Sequence, residues 1–297
     1  MLWWVLRCLF SYRNKIDAIE TIEAIETIDA IETIETINRY AEGTILAFNK
    51  PYGWTSFQVV ARVRWLLKKY AGLRKMKVGH AGTLDPLATG VLIICTGKAT
   101  KRIEELQAGR KEYVATLKLG ATTPSFDKES EEDATYPTNH ITEEMVREVL
   151  KRFLGETDQV PPVFSAVKIN GKRAYKFARK GEEVELAAKR ITIDEIELME
   201  FKGSRSSRVQ VVQEVQGVQG VQEVQGIQEL KIRVVCSKGT YIRALARDIG
   251  KALGSGAYLT DLFRTRVGDY RLTDCLDPET WRPESDSGAS QVAGSKE

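Results

Sequence analysis

One glycine-punctuated loop that runs into an apolar stretch constrains this chain more than any other feature. It reads Gly79-His80-Ala81-Gly82-Thr83-Leu84-Asp85-Pro86-Leu87-Ala88-Thr89-Gly90, then Val91-Leu92-Ile93-Ile94-Cys95. The uncharged, partly β-branched run predicts a buried strand. The glycines predict tight turns with little side-chain bulk near whatever approaches. Pro86 disfavours the α region for Asp85, so that residue should be extended with its carboxylate projecting from the loop. A carboxylate presented by a rigid strand is a candidate nucleophile or base. The same pattern also describes an Asp-Pro turn whose carboxylate bonds only to its own backbone. The surrounding elements have to decide between the two.

Those elements mix strands and helices without a repeated βαβ rhythm, which predicts an α+β domain built on a mixed sheet. Residues 44–48 and 113–119 read as strands, and 57–71 as a helix capped by Ser56. A helix is expected over 99–106, another over 142–154 begun by Thr142, and a third over 240–253. Two period-three repeats interrupt this order. The first places Ile at every third position from 16 to 37, a spacing that gives neither a helix nor a strand one constant buried face. It reads as a low-complexity extension covering 1–42. The second, Val212 to Glu229, lies between strand-like flanks, Ile191 to Phe201 and Leu230 to Val235. It reads as an insertion, about 205–229, that lengthens a hairpin tip. From Pro278 to 297 the composition suits a polar, disordered tail. The folded domain is thus expected over 43–277.

Charge follows the same division. Residues 1–42 hold eight acidic and four basic side chains, which with the tail leaves 38 basic and 29 acidic groups in 43–277. A basic middle suits a polyanionic partner and equally a solvated surface. The four cysteines form no CxxC pair, and with only His80 and His140 beside them they predict reduced thiols and no zinc site. The apolar opening of residues 1–10 is too short to span a bilayer and lacks a secretory cleavage pattern. A cytoplasmic protein without membrane contact is the expectation.

Four more segments carry candidate chemistry. Lys50-Pro51-Tyr52-Gly53-Trp54-Thr55-Ser56 joins a strand to a helix, and Tyr113 offers a ring for stacking or for the core. Gln159 to Lys168 leads into a run with Lys172, Arg173, Tyr175, Lys176, Phe177, Arg179 and Lys180. Interleaved cations and rings suit phosphates and unstacked bases, as they also suit a solvated face. Gly239-Thr240-Tyr241-Ile242-Arg243 places an arginine one turn into a helix, where it can pair with a carboxylate or face solvent.

In this order the segments resemble the TruB family of tRNA pseudouridine synthases. The resemblance rests on Lys50 to Ser56, Gly79 to Gly90 with Asp85, Gly97 to Lys101, Tyr113, Gln159 to Lys168, Gly239 to Arg243, and Ala257 to Arg266. It implies a pseudouridine-synthase-like fold, with a central, mostly antiparallel sheet and flanking helices. It further implies isomerisation of uridine 55 in the TΨC arm of tRNA, by base flipping and without metal or cofactor. Asp85 matches the essential aspartate, and Arg243 its paired arginine, a contact that would favour the ionised carboxylate. Tyr113 matches the tyrosine stacked on the flipped base and positioned to assist proton removal. Tyr241 and Leu262 match pocket positions, His80 a residue inserted near the extruded nucleotide, and Lys101 a motif lysine near the site. Two departures stand out. Thr122 to Asp127 replaces a Thr-Asp-Thr-like turn, and the roughly 30 residues after Arg266 are too few for the PUA domain of longer relatives. A monomer with tRNA as its partner is expected. A non-catalytic RNA-binding protein and a carboxylate-dependent glycosidase are the competing classes, the second requiring another spaced carboxylate.

Overall fold

The computed structural model describes Glu35 and residues 38–70, 75–165, 167–169, 171–174, 177, 182, 184, 186–203 and 228–283. The first repeat apart from Glu35, the second repeat up to residue 227, and residues 284–297 lie outside the described residues. So do Ala166, Tyr175, Lys176, Arg179 and Lys180 of the basic segment.

Among the described residues, nine strands form one sheet. Seven lie side by side. In spatial order they are β1 (Ile45–Lys50), β3 (Ala88–Thr96), β12 (Ala257–Val267), β4 (Lys111–Leu119), β11 (Glu229–Cys236), β10 (Lys189–Lys202) and β7 (Gly155–Gln159). Short β2 (Val78–His80) also pairs with β3, and β13 (Tyr270–Arg271) with β12. Every pairing is antiparallel except β12 with β3. Two small hairpins stand apart: β5 (Ala121–Thr122) with β6 (Ala134–Thr135), and β8 (Lys168–Ile169) with β9 (Lys172–Arg173). The α+β reading with a mixed, mostly antiparallel sheet holds. β10 and β11 are adjacent and antiparallel, as strands joined across a hairpin tip should be.

Burial explains the placement of the helices. Along β3 all residues but Thr89 are buried, and its alternate side chains feed two cores. Leu92 and Ile94 meet Val59, Val63, Leu66 and Leu67 of helix α1 (Ser56–Tyr70), whereas Val91, Ile93 and Cys95 face the opposite way. β4 alternates strictly, so Ala115 and Leu117 meet Leu245 and Ile249 of helix α4 (Ile242–Ala252). Helix α3 (Glu143–Lys151) joins that core through Val146, Val149 and Leu150.

Three local expectations shift. Residues 99–106 divide into a 3₁₀ turn (Gly97–Arg102) and helix α2 (Ile103–Ala108), with the Thr100 hydroxyl bonded to the Gly97 carbonyl at 2.7 Å. The cap of α1 is Thr55, not Ser56. The Thr55 Oγ1 accepts from the Gln58 amide at 3.1 Å, while Gln58 Oε1 accepts from the Thr55 amide at 2.6 Å, a reciprocal box. Tyr40 and Trp281, which limits of 43–277 leave outside, are buried and pack edge to face, since large rings gain more from the core than from water. Thr142 does cap α3, accepting from the Met145 amide.

Candidate active site

The loop between β2 and β3 is fixed from three sides. Ser56 Oγ accepts from the Leu84 amide at 2.8 Å and donates to the Leu84 carbonyl at 3.1 Å. The Pro86 carbonyl accepts from the Gly53 amide at 2.9 Å and from Lys50 Nζ at 3.2 Å. Fully buried Arg264 donates to the carbonyls of Val91, Gly82 and Thr83. Gly90, with φ of +104°, lets β3 lie against β12; a Cβ there would come within 2.2 Å of the Arg264 carbonyl oxygen. Asp85 therefore leaves a loop with little freedom to shift.

Lys50 completes that support from within the core. Its ammonium, fully buried, also donates to the carbonyls of Pro51 at 2.8 Å and Trp54 at 2.6 Å. Burial pulls its pKa down to about 8; nearby Asp85 opposes that shift and Arg264 reinforces it.

Arg243, the second residue of α4, meets Asp85 from across the cleft. Its Nε lies 3.0 Å from Asp85 Oδ2, and its Nη1 3.3 Å from Asp127 Oδ2. The Ser125 and Phe164 carbonyls accept its remaining bonds at 3.2 and 3.0 Å. The Arg243 and Asp127 side chains are only 7% and 6% exposed, against 38% for Asp85. The guanidinium is thus locked, while the Asp85 carboxylate opens to the cleft. Asp127 is held further by Ser125 Oγ at 2.5 Å and the Glu129 amide at 2.9 Å. Between them Phe126 takes φ of +62°, and this turn brings the Ser125 carbonyl and the Asp127 carboxylate to one guanidinium.

Leu87, Ala88, Leu259, Thr260, Asp261 and Leu262 complete the walls of an open cleft above these groups. β12 bulges between Leu259 and Asp261, the kind of irregularity that re-aims side chains beside a site.

The sequence candidates fall into two groups. Asp85, Arg243 and Leu262 line the cleft together. Tyr113 and Tyr241 lie close enough for the Asp85 charge to raise their phenols, though burial is the larger cause for both. Tyr113 is buried, directly opposite Arg264 across the β4–β12 pair. Tyr241 leads into α4, and the Gln159 side chain clamps its backbone, accepting from the amide at 2.8 Å and donating to the carbonyl at 3.2 Å. No hydrogen bond or ion pair among the described residues joins His80 or Lys101 to Asp85, Tyr113 or Arg243. His80 is half-buried with its Nδ1 unpaired, and burial first, then Arg264, lowers its pKa, keeping the ring neutral. Lys101 is exposed on the 3₁₀ turn.

Asp127 was missed as part of the site, and Lys50, Ser56 and Arg264 lay in candidate segments without a role of their own. A signal existed for Asp127, which follows the Tyr113 strand in a loop that the sequence marks only as a departure. It is the second carboxylate a glycosidase would need, yet Arg243, Ser125 and a backbone amide already engage it. Among the described residues no cluster of three or more His, Cys, Asp or Glu is arranged to hold a metal ion, and no helix is long and apolar enough to cross a membrane.

Known proteins share this arrangement of sequence and fold. Residues 68–242 match the family model described as TruB family pseudouridylate synthase (N terminal domain). The tRNA pseudouridine synthase B of Bacteroides thetaiotaomicron is 61% identical over 243 residues, covering 82% of this chain and 93% of that protein. The protein of the same name from Flavobacterium johnsoniae is 48% identical over 239 residues, covering 80% and 94%. Among solved structures, a chain of a Cbf5-Nop10-Gar1 complex superposes with a TM-score of 0.54 at 28% identity, covering 82% of this chain and 54% of that one. A chain of an H/ACA RNP bound to a substrate RNA containing 2'-deoxyuridine gives 0.52 at 26%, covering 83% and 53%. This chain spans about half the length of those two.

Proposed function

Because the chain belongs to the TruB family of pseudouridylate synthases, we propose that uridine 55 in the T arm of tRNA is its target and that Asp85 initiates the reaction. The protein is an isomerase that turns uridine into pseudouridine in tRNA. The observation that carries the finer reading is the Asp85–Arg243–Asp127 chain of charges at the base of an open cleft.

In the isomerisation the bond from N1 to C1′ breaks, the uracil turns, and C5 bonds to C1′. C5 loses a proton and N1 gains one, so atoms and electrons balance without a co-reactant. A base inside an RNA loop must first leave its stack, at a cost of a few kcal/mol, which a ring in the cleft offsets in part. Tyr113 supplies that ring in this reading. Burial holds its phenol above the ordinary tyrosine pKa, so the ring meets the flipped base in its protonated form. Leu262 and Tyr241 border the turning base. In this reading His80, neutral and with an unpaired ring nitrogen, meets the extruded nucleotide, and Lys101 binds the substrate from the exposed 3₁₀ turn. Arg243 fixes one Asp85 oxygen and leaves the other for the substrate. The reading has the enzyme work as a monomer in the cytoplasm, without metal or cofactor.

Wild type and Asp85→Asn, incubated with tRNA and followed by mapping of pseudouridine in the T arm, test it. Wild type should modify position 55 and the variant should not. Modification only at another position, or full activity of Asp85→Asn, overturns the reading; release of free uracil favours a glycosidase.

A further inference from the structure

From Gly43 through Leu84 the sequence contains no Asp or Glu, yet it holds eight Lys and Arg residues. Helix α1 lies at the centre of this acid-free stretch. Its inner face fills the core with Val59, Val63, Leu66 and Leu67. Its outer face is aromatic and basic. Phe57 and Trp65 are 64% and 46% exposed, and Arg64, Lys68 and Lys69 face solvent beside them. Arg62 and Lys69 sit over the Trp65 ring at 4.9 and 5.1 Å from its centroid. No carboxylate among the described residues pairs with any of these cations. Among the described residues Arg62 bonds to the carbonyls of Pro278 and Glu279, and Arg64 to that of Val78.

Position gives this face a partner. α1 begins at Ser56, which is bonded to Leu84 next to Asp85. A helix of 15 residues is about 22 Å long, so Lys68 and Lys69 stand roughly 18–20 Å along it from the catalytic loop. Cations without a carboxylate partner among the described residues, set among exposed rings, match a polyanion that also offers stacking surfaces.

We propose that the outer face of α1 is a second RNA-binding surface, which grips the backbone of the substrate tRNA away from the nucleotide in the cleft. This rests on the reading of the protein as a tRNA-modifying enzyme. Arg64 and Lys68 neutralise phosphates there, and Trp65 holds Arg62 and Lys69 in place against the same strand. The surface contributes affinity and takes no part in bond exchange.

The test compares Arg64→Gln/Lys68→Gln with a control pair, Arg147→Gln/Lys151→Gln on α3, whose cations are already bonded to Glu143 and Glu148. Binding of full-length tRNA is titrated across salt, and turnover is measured at saturating tRNA. The α1 pair should weaken binding roughly tenfold or more and flatten the slope of log K against log salt by about 1.4–1.8. The control should change neither, and both should turn over like wild type. Equal behaviour of the two pairs, or a loss of turnover in the α1 pair, overturns the proposal. Because binding is read independently of product, a protein that fails to modify position 55 leaves this result interpretable.

Discussion

The cleft and the outer face of α1 both carry arginine, and they use it in opposite ways. Arg243 is almost fully buried, with two carboxylates and two carbonyls accepting its bonds. Arg64 and Lys68 are exposed and have no carboxylate partner among the described residues. Burying a charge is costly unless its partners are fixed, and once they are fixed the geometry becomes rigid. An exposed charge costs little and fixes nothing, but it attracts a polyanion over a Debye length. On the proposed reading, one region sets where atoms lie during reaction, and the other sets how tightly the substrate stays.

The sharpest way to break that division is to remove charge from the cleft. Asp85→Asn keeps the shape and removes the reactive group, so kcat should fall by about 10³-fold or more, with tRNA affinity within about threefold of wild type in filter binding. A comparable loss of affinity would mean that the cleft also supplies grip. Arg243→Met should act on stability as well, because it leaves Asp127 buried without its counter-charge. Denaturant unfolding should show a loss of about 3–5 kcal/mol. Adding Asp127→Asn should restore part of it; no recovery would mean that Asp127 is not the source of the cost.

Ser56→Ala tests a neutral support of the same loop. Both its bonds to Leu84 are buried, so stability should fall by about 1–3 kcal/mol, and kcat should drop more than KM rises. If KM alone changes, Ser56 does not position Asp85. The role of this residue also shows where sequence stops being informative. The strand after the loop, the α4 helix and the Thr142 cap were legible because each is set by local periodicity or by one side chain beside its own backbone. Ser56 looked equally like a cap, and its true partner lies 28 residues away. Asp127 was hidden for a similar reason: its link to Arg243 spans two separate segments joined only by the sheet. Asp85 was legible as a projecting carboxylate, but its ion pair came only from the resemblance, since spacing alone left Arg243 equally suited to solvent.

Lys50 distinguishes buried from exposed cations by pH. Its folded pKa of about 8 lies below the unfolded 10.5, so below pH 8 the folded state carries the full cost of a buried ammonium. That cost disappears as pH rises from 8 to 10.5, because there the unfolded chain binds more protons and stability rises with pH. Lys111 is pulled to about 8 by burial as well, so wild type must be compared with Lys50→Met, where the Lys111 contribution cancels. From pH 7 to 9.5 wild type should gain about 1–2 kcal/mol relative to the variant. A flat difference would show that the three carbonyls around Lys50 fully compensate its burial.

The smallest effect on folding belongs to Trp65, and it sharpens the comparison from the other side. Its ring is nearly half exposed and touches cations rather than the core cluster that Val63 and Leu66 enter. Trp65→Ala should therefore change unfolding free energy by no more than about 0.5 kcal/mol. The salt slope of tRNA binding should also stay near that of wild type, because no charge is removed. What should change is affinity at fixed salt, by a few-fold, as Arg62 and Lys69 lose the ring that orders them and the RNA loses a stacking surface. A variant that unfolds more easily and binds tRNA as well as wild type would place Trp65 with the core and separate it from the grip.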